Sequence, residues 1–201
     1  MKLYYSPGAC SLAPHILLHE AGLPADLVKV DLKVKKTEKG EDFTKINPKG
    51  YVPTVQLDNG QVMTEVAVLL QYIADQKPDA KLVPPAGTLD RYRAQEWLNF
   101  VSSEIHKGFS PLWNPAVPEA YRAIALERLN LRLALLDRHL ATNEYLLGKN
   151  FSAADAYLFT VTNWAKPLNV DLSGYKNLIA FRERVGKRPA VQAALKAEGL
   201  A

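Results

Sequence analysis

Hydrophobic patterning changes character once along this 201-residue chain, and that change restricts the possible folds more than any single residue does. Before a proline-rich connection, periods of two and of 3.6 alternate; after it only the helical period survives. Residues 2–5 form an apolar strand, and a helix over residues 11–21 stops at Gly22 and Pro24, a C-terminal glycine and a following proline. Residues 27–32 alternate apolar and polar side chains as a second strand. The charged stretch 33–42 that follows is expected to be loop or a short irregular helix. Strands 52–57 and 61–63 flank Asp58-Asn59-Gly60, a strong turn signal between strands. A helix over 65–76 then carries Val66, Leu69, Leu70 and Ile73 at helical spacing. Pro78, Pro84, Pro85 and Gly87 mark the connection, and beyond it helical patterns run over 89–109, 118–141, 152–165, 175–186 and 190–198.

The order β-α-β, connection, β-β-α is that of a thioredoxin-like unit. The expected fold class is therefore α/β plus all-α: a thioredoxin-like domain over 1–80, a linker over 81–87 and an all-helical domain over 88–201. One cysteine excludes an internal disulfide, and Met1 leads directly into a strand rather than into a basic and apolar leader, so a cytoplasmic location is expected. No apolar run approaches the roughly 20 residues that span a bilayer, so no membrane partner is expected. The net charge is +4, but 25 basic and 21 acidic residues are interspersed, and the densest basic run, Lys33-Val34-Lys35-Lys36, is soon followed by Glu38, Glu41 and Asp42. That distribution argues against nucleic acid and suits a small anionic ligand.

Cys10 lies where the first strand gives way, through Ser6-Pro7-Gly8-Ala9, to a helix. A thiol there meets a helix N-terminus, whose N–H groups favour the thiolate; the alternative is a small hydrophobe that fell at a turn. Pro53 opens the third strand, where a missing ladder donor is tolerable, and a cis Val52–Pro53 bond would present the Val52 backbone to an extended ligand. Thr64-Glu65 places a hydroxyl at an N-cap position and a carboxylate in the first turn of the next helix. Ordinary capping accounts for this, and so does a pocket in which Glu65 receives a ligand ammonium; the two are compatible.

Asn99, Ser103, His106 and Lys107 fall at i, i+4, i+7 and i+8 and form one polar stripe, either a solvated face or the wall of a cleft, opposite Trp97, Leu98, Val101 and Ile105. His106 there can donate to a sulfur or act as a weak base near neutral pH. His15 and His19 share a helix face but lack a third ligand at useful spacing, so no metal site is expected. Ser152 and Asp155 have capping-box spacing, with Phe151 placed to staple to Ala156, and this motif is assigned to folding.

Together these pieces resemble the cytosolic glutathione S-transferases, most nearly the bacterial beta class, over essentially the whole chain. The likeness is carried by the first fifteen residues up to His15, by Ile46-Asn47-Pro48-Lys49-Gly50-Tyr51-Val52-Pro53 with Thr64-Glu65, by Trp97-Leu98-Asn99-Phe100, by Ser103 to Lys107, and by Ala154 to Phe159. The resemblance implies catalytic roles for Cys10 and His106. It further implies that Lys35 reaches the glycine end of glutathione, that Val52 and Pro53 present backbone to its cysteinyl part, and that Glu65 and Val66 hold the γ-glutamyl end. Asn99, Ser103, Glu104, Ile105 and His106 would line the site from the helical domain, partly across a homodimer interface. Val66 departs from the family, which usually has glycine or serine there, and a looser γ-glutamyl grip is expected.

Phe109, Pro111, Leu112, Trp113 and Trp164 are the expected walls for a small hydrophobic electrophile. No cofactor is implied, with glutathione as co-substrate. The implied chemistry is attack of the glutathione thiolate on an electrophilic carbon, with Cys10-dependent thiol–disulfide exchange as a further activity. The alternative from another class is a non-catalytic ligand carrier or protein-interaction module on the same fold.

Overall fold

The computed structural model describes the whole chain, Met1–Ala201. It divides into two compact units, Met1–Val83 joined by Arg188–Ala201, and Pro84–Lys187.

The first unit is built on a five-stranded sheet of order β3-β2-β1-β4-β5. Strand β1 (Lys2–Tyr5) leads through helix α1 (Leu12–Ala21) to β2 (Asp26–Asp31), which pairs with β1 in parallel, Leu3 opposite Leu27. Gly22, in the left-handed region at φ 63°, ends α1 as its sequence requires, its N–H returning to His19 and Leu18 carbonyls. Strands β4 (Thr54–Gln56) and β5 (Val62–Thr64) form the antiparallel hairpin, with Thr54 opposite Thr64. Gly60, at φ 82°, closes its three-residue loop, and Leu57 N–H meets the Gln61 carbonyl at 2.8 Å. Helix α2 (Val66–Asp75) follows.

One face of the sheet gathers Tyr4, Val30, Phe43 and Val52 into a buried cluster with Val28 packed against it. The pleat points Leu3 and Val55, paired across β1 and β4, to the other face; both are fully buried, as are Ile16, Leu17, Leu69, Leu70 and Ile73 of α1 and α2.

Two expectations are corrected here. Residues 33–42 contain a short strand, β3 (Lys36–Thr37), antiparallel to β2. The turn that makes it carries no glycine: the Asp31 carboxylate accepts the Lys33 N–H, and Lys35 adopts the left-handed conformation at φ 55°. Residues 188–201, expected in the helical domain, belong with the first unit. Helix α8 (Pro189–Ala197) packs on α1, and Arg188 forks onto Glu20 through two bonds of 2.5 and 2.8 Å.

The second unit is all-helical. Helix α3 (Leu89–Phe100), capped by Thr88, continues through a π-type segment, Val101–His106, into α4 (Lys107–Trp113). Helices α5 (Glu119–Leu140), α6 (Ala153–Thr162) and α7 (Lys176–Gly186) complete it. Every residue of α6 is buried, and α6 packs against α3, the π segment and α7 as the unit's core helix. Its start is held by Asp155, whose carboxylate accepts from the Ser152 N–H, the Ser152 hydroxyl and the Leu146 N–H. No helix is long and apolar enough to cross a membrane.

Candidate active site

In the first unit the turn between β1 and α1 is built around Ser11. Its buried hydroxyl both accepts from the Ser6 N–H and donates to the Ser6 carbonyl, closing residues 6–11 into a loop that presents Cys10 at the helix entrance. The half-buried Cys10 Sγ donates to the Val52 carbonyl at 3.2 Å, and the Val52–Pro53 bond is cis. A ligand N–H pairing with that carbonyl would compete with the thiol there. Lys35 sits beside the same segment, its Nζ donating to the Gly50 carbonyl at 2.6 Å.

Thr64 does not cap α2, contrary to the expectation. It pairs with Thr54 inside the hairpin, so its hydroxyl faces the Lys49 ammonium at 2.9 Å instead. The cap position falls to Glu65, at φ 71°, with no side-chain capping bond. A non-glycine residue in that region is uncommon and points to a functional demand on the backbone. The Glu65 carboxylate accepts from Lys49 Nζ at 2.6 Å and from the Tyr51 hydroxyl at 3.0 Å. Those bonds hold the Lys49 ammonium charged to higher pH, and burial together with the Glu65 carboxylate raises the Tyr51 phenol. Val66 is buried and begins the helix, so its side chain belongs to the core.

A second network supports the Cys10 loop from the far end of the chain. Glu198, which ends α8, accepts from the Gly8 N–H at 2.9 Å and pairs with His15 Nδ1 on α1 at 2.9 Å. Both the Glu198 and His15 side chains are almost completely buried.

In the second unit the expected polar stripe is split. The π segment adds a residue to the turn and swings His106 out of line with Asn99, Ser103 and Lys107, which stay exposed. His106 is half-buried, its Nδ1 2.7 Å from the Tyr157 hydroxyl and its ring edge-on to Trp164 at 4.9 Å. Trp164 also meets Phe109 and Trp113, so three of the five expected pocket residues form one aromatic group, of which Trp164 touches His106. Phe109 and Leu112 are buried in the helical core, and Ile105 is fully buried, which removes its side chain from direct contact with a ligand. Ser103, Glu104 and Pro111 instead share a cleft of about 250 Å³ with Lys107, Tyr121 and Arg128, where Glu104 pairs with Arg132 at 2.5 Å.

Sequence reasoning missed Lys49, Tyr51, Tyr157 and Glu198. The first three stand inside motifs already singled out, and only their partners reveal what they do. Glu198 lies beyond every recognised motif and carries no local signal.

Comparison with known proteins agrees with this architecture. Residues 8–76 match the family described as glutathione S-transferase, N-terminal domain, and residues 100–189 match glutathione S-transferase, C-terminal domain. Glutathione S-transferase GstA of Escherichia coli O157:H7 is 46% identical over 200 residues, covering the whole of both chains. A sphingomonad glutathione S-transferase solved in complex with glutathione is 50% identical with a TM-score of 0.96, again over the whole of both chains. A beta-class glutathione S-transferase of Sphingomonas chungbukensis is 49% identical with a TM-score of 0.97 and the same coverage.

Proposed function

This chain belongs to the glutathione S-transferase family, and on that premise we propose that it joins the sulfur of glutathione to small hydrophobic electrophiles, with Cys10 serving the glutathione thiol and His106 supporting it from the helical unit. The observation that carries this reading is the Cys10 Sγ on the Val52 carbonyl, in the same unit as the Glu65 carboxylate and the Lys35 ammonium. A γ-glutamyl-cysteinyl-glycine ligand has one charged group for each end and a backbone for the middle. Glu65 takes the ammonium, Val52 pairs with the cysteinyl backbone, and Lys35 answers the glycine carboxylate.

Glutathione gives its thiol proton to solvent water, the thiolate attacks the electrophilic carbon, and the leaving group departs with the bond electrons. Cys10, once displaced from the Val52 carbonyl, donates a hydrogen bond that favours that thiolate. Deprotonated, the same Cys10 attacks the glutathione sulfur of a mixed disulfide between glutathione and another thiol, becomes linked to glutathione and expels that other thiolate. A glutathione thiolate then displaces Cys10 and leaves as glutathione disulfide, since the chain has no second cysteine. Trp164, edge-on to His106 and in contact with the exposed Trp113, supports an apolar electrophile there. Exposed Leu89 and Tyr92 on α3, with Leu131 and Leu135 one turn apart on α5, support a homodimer.

The test is intact mass before and after reduction, with turnover of a chloronitrobenzene and glutathione, on wild type and Cys10→Ala. The variant is expected to carry no reducible glutathione adduct and to lose about tenfold in kcat/KM, the worth of one hydrogen bond to a charged sulfur. A variant that conjugates at the wild-type rate would move thiol activation away from Cys10.

A further inference from the structure

The Glu65 carboxylate already holds a cation. Lys49 Nζ donates to Glu65 Oε1 at 2.6 Å and to the Thr64 hydroxyl at 2.9 Å, and it lies over the Tyr51 ring, 5.9 Å from its centroid. Tyr51 in turn donates its hydroxyl to the same Glu65 oxygen at 3.0 Å. A carboxylate, a hydroxyl and an aromatic face are what a primary ammonium requires for its three donors. The lysine that fills this arrangement is itself about half exposed, at 46% of its side-chain surface, so it leaves the site at little cost in burial. Lys49 and Glu65 are 16 positions apart and meet only because the hairpin returns β5 beside the segment before β4.

We propose that Lys49 is a resident stand-in for the ammonium of glutathione: it occupies the cation position on Glu65 in the empty protein and must be exchanged for the ligand's own γ-glutamyl ammonium. This rests on the reading of Glu65 as the γ-glutamyl site and adds a competitor to it. The exchange swaps one cation for another, so Glu65 stays neutralised in both states. It also sets a threshold, because a tethered lysine is always present at high effective concentration. A ligand without an ammonium leaves Lys49 in place and gains nothing from Glu65.

The experiment is titration calorimetry of glutathione and of N-acetylglutathione, whose amine is blocked, against wild type, Lys49→Met and Lys49→Arg. Methionine keeps most of the side-chain length and removes the charge. Lys49→Met is expected to bind glutathione about two- to five-fold more tightly, the range of an exposed ion pair, and N-acetylglutathione with the wild-type affinity, because that ligand displaces nothing from Glu65 in either protein. Lys49→Arg should keep the wild-type ratio of the two affinities. Weaker binding of both ligands by Lys49→Met would overturn the proposal and make Lys49 a direct ligand contact. Unchanged affinity for both would overturn it as well. If wild type binds glutathione no better than N-acetylglutathione and Glu65→Gln binds it equally well, the γ-glutamyl reading of Glu65 fails and the inference with it.

Discussion

His106 meets the hydroxyl of a tyrosine 51 positions later in the chain, and this single contact fixes which ring nitrogen is engaged inside the helical unit. Tyr157 is 1% exposed, so its hydroxyl has no ready replacement from water. Tyr157→Phe retains the ring and removes only the bond. Its unfolding free energy in urea is expected to fall by about 1 kcal/mol, with a change in the ¹⁵N shift of His106 Nδ1. An unchanged Nδ1 shift would show that the tyrosine does not set the state of that ring. The same scale explains what could be foreseen. Cys10, Glu65 and His106 were legible because their residue types and local spacing already suggest chemistry. Lys49 and Tyr157 were not, because a lysine and a tyrosine acquire those roles only from the carboxylate and imidazole that folding brings to them.

At the scale of elements, α6 shows a cap whose charge works against burial. Asp155 is fully buried, and that burial raises its carboxyl to about 6 in spite of the bonds from Leu146 and Ser152 that favour the anion. An unfolded aspartate titrates near 3.9, so between about pH 4 and 6 the folded chain holds a proton that the unfolded chain has released. Stability from this group is therefore greatest below pH 4 and is lost as pH rises to 6 and beyond. Wild type compared with Asp155→Asn, which cannot ionise, should lose on the order of 3 kcal/mol of relative stability from pH 4 to pH 7 in urea unfolding. A gap independent of pH would mean that the capping bonds compensate the burial entirely. The cap itself was visible in the order Ser152-Ala153-Ala154-Asp155, whereas the failure of Thr64 to cap α2 was not. Both are hydroxyls before a helix, and only the pairing of Thr64 with Thr54 separates them. The π segment escaped notice for a similar reason: a continuous helical pattern gives no local sign of one extra residue in a turn.

For the whole molecule, the consequential feature is that the last residues of the chain complete its first unit. Glu198 reaches the Gly8 N–H in the loop that carries Cys10 and the His15 ring on α1, both from a position outside the two matched family segments. Glu198→Ala removes the carboxylate that meets the buried His15 ring and the Gly8 N–H and is expected to cost about 3 kcal/mol in unfolding free energy. It should also speed alkylation of Cys10 by iodoacetamide, since the loop loses its anchor. Alkylation at the wild-type rate would show that Ser11 alone holds the loop.

The sequence by itself determined the two-part architecture, four of the five strands of the sheet, the hairpin turn and the place of Cys10. Each of those rests on periodicity, turn chemistry or one unusual residue within a short window. The tertiary structure alone decided that residues 188–201 belong with the first unit, that Lys49 occupies Glu65, and that His106 leaves its stripe for Tyr157 and Trp164. Those outcomes depend on contacts between residues far apart in the chain, and the partners are chosen by packing and by the polar groups that folding brings together, which no local pattern encodes.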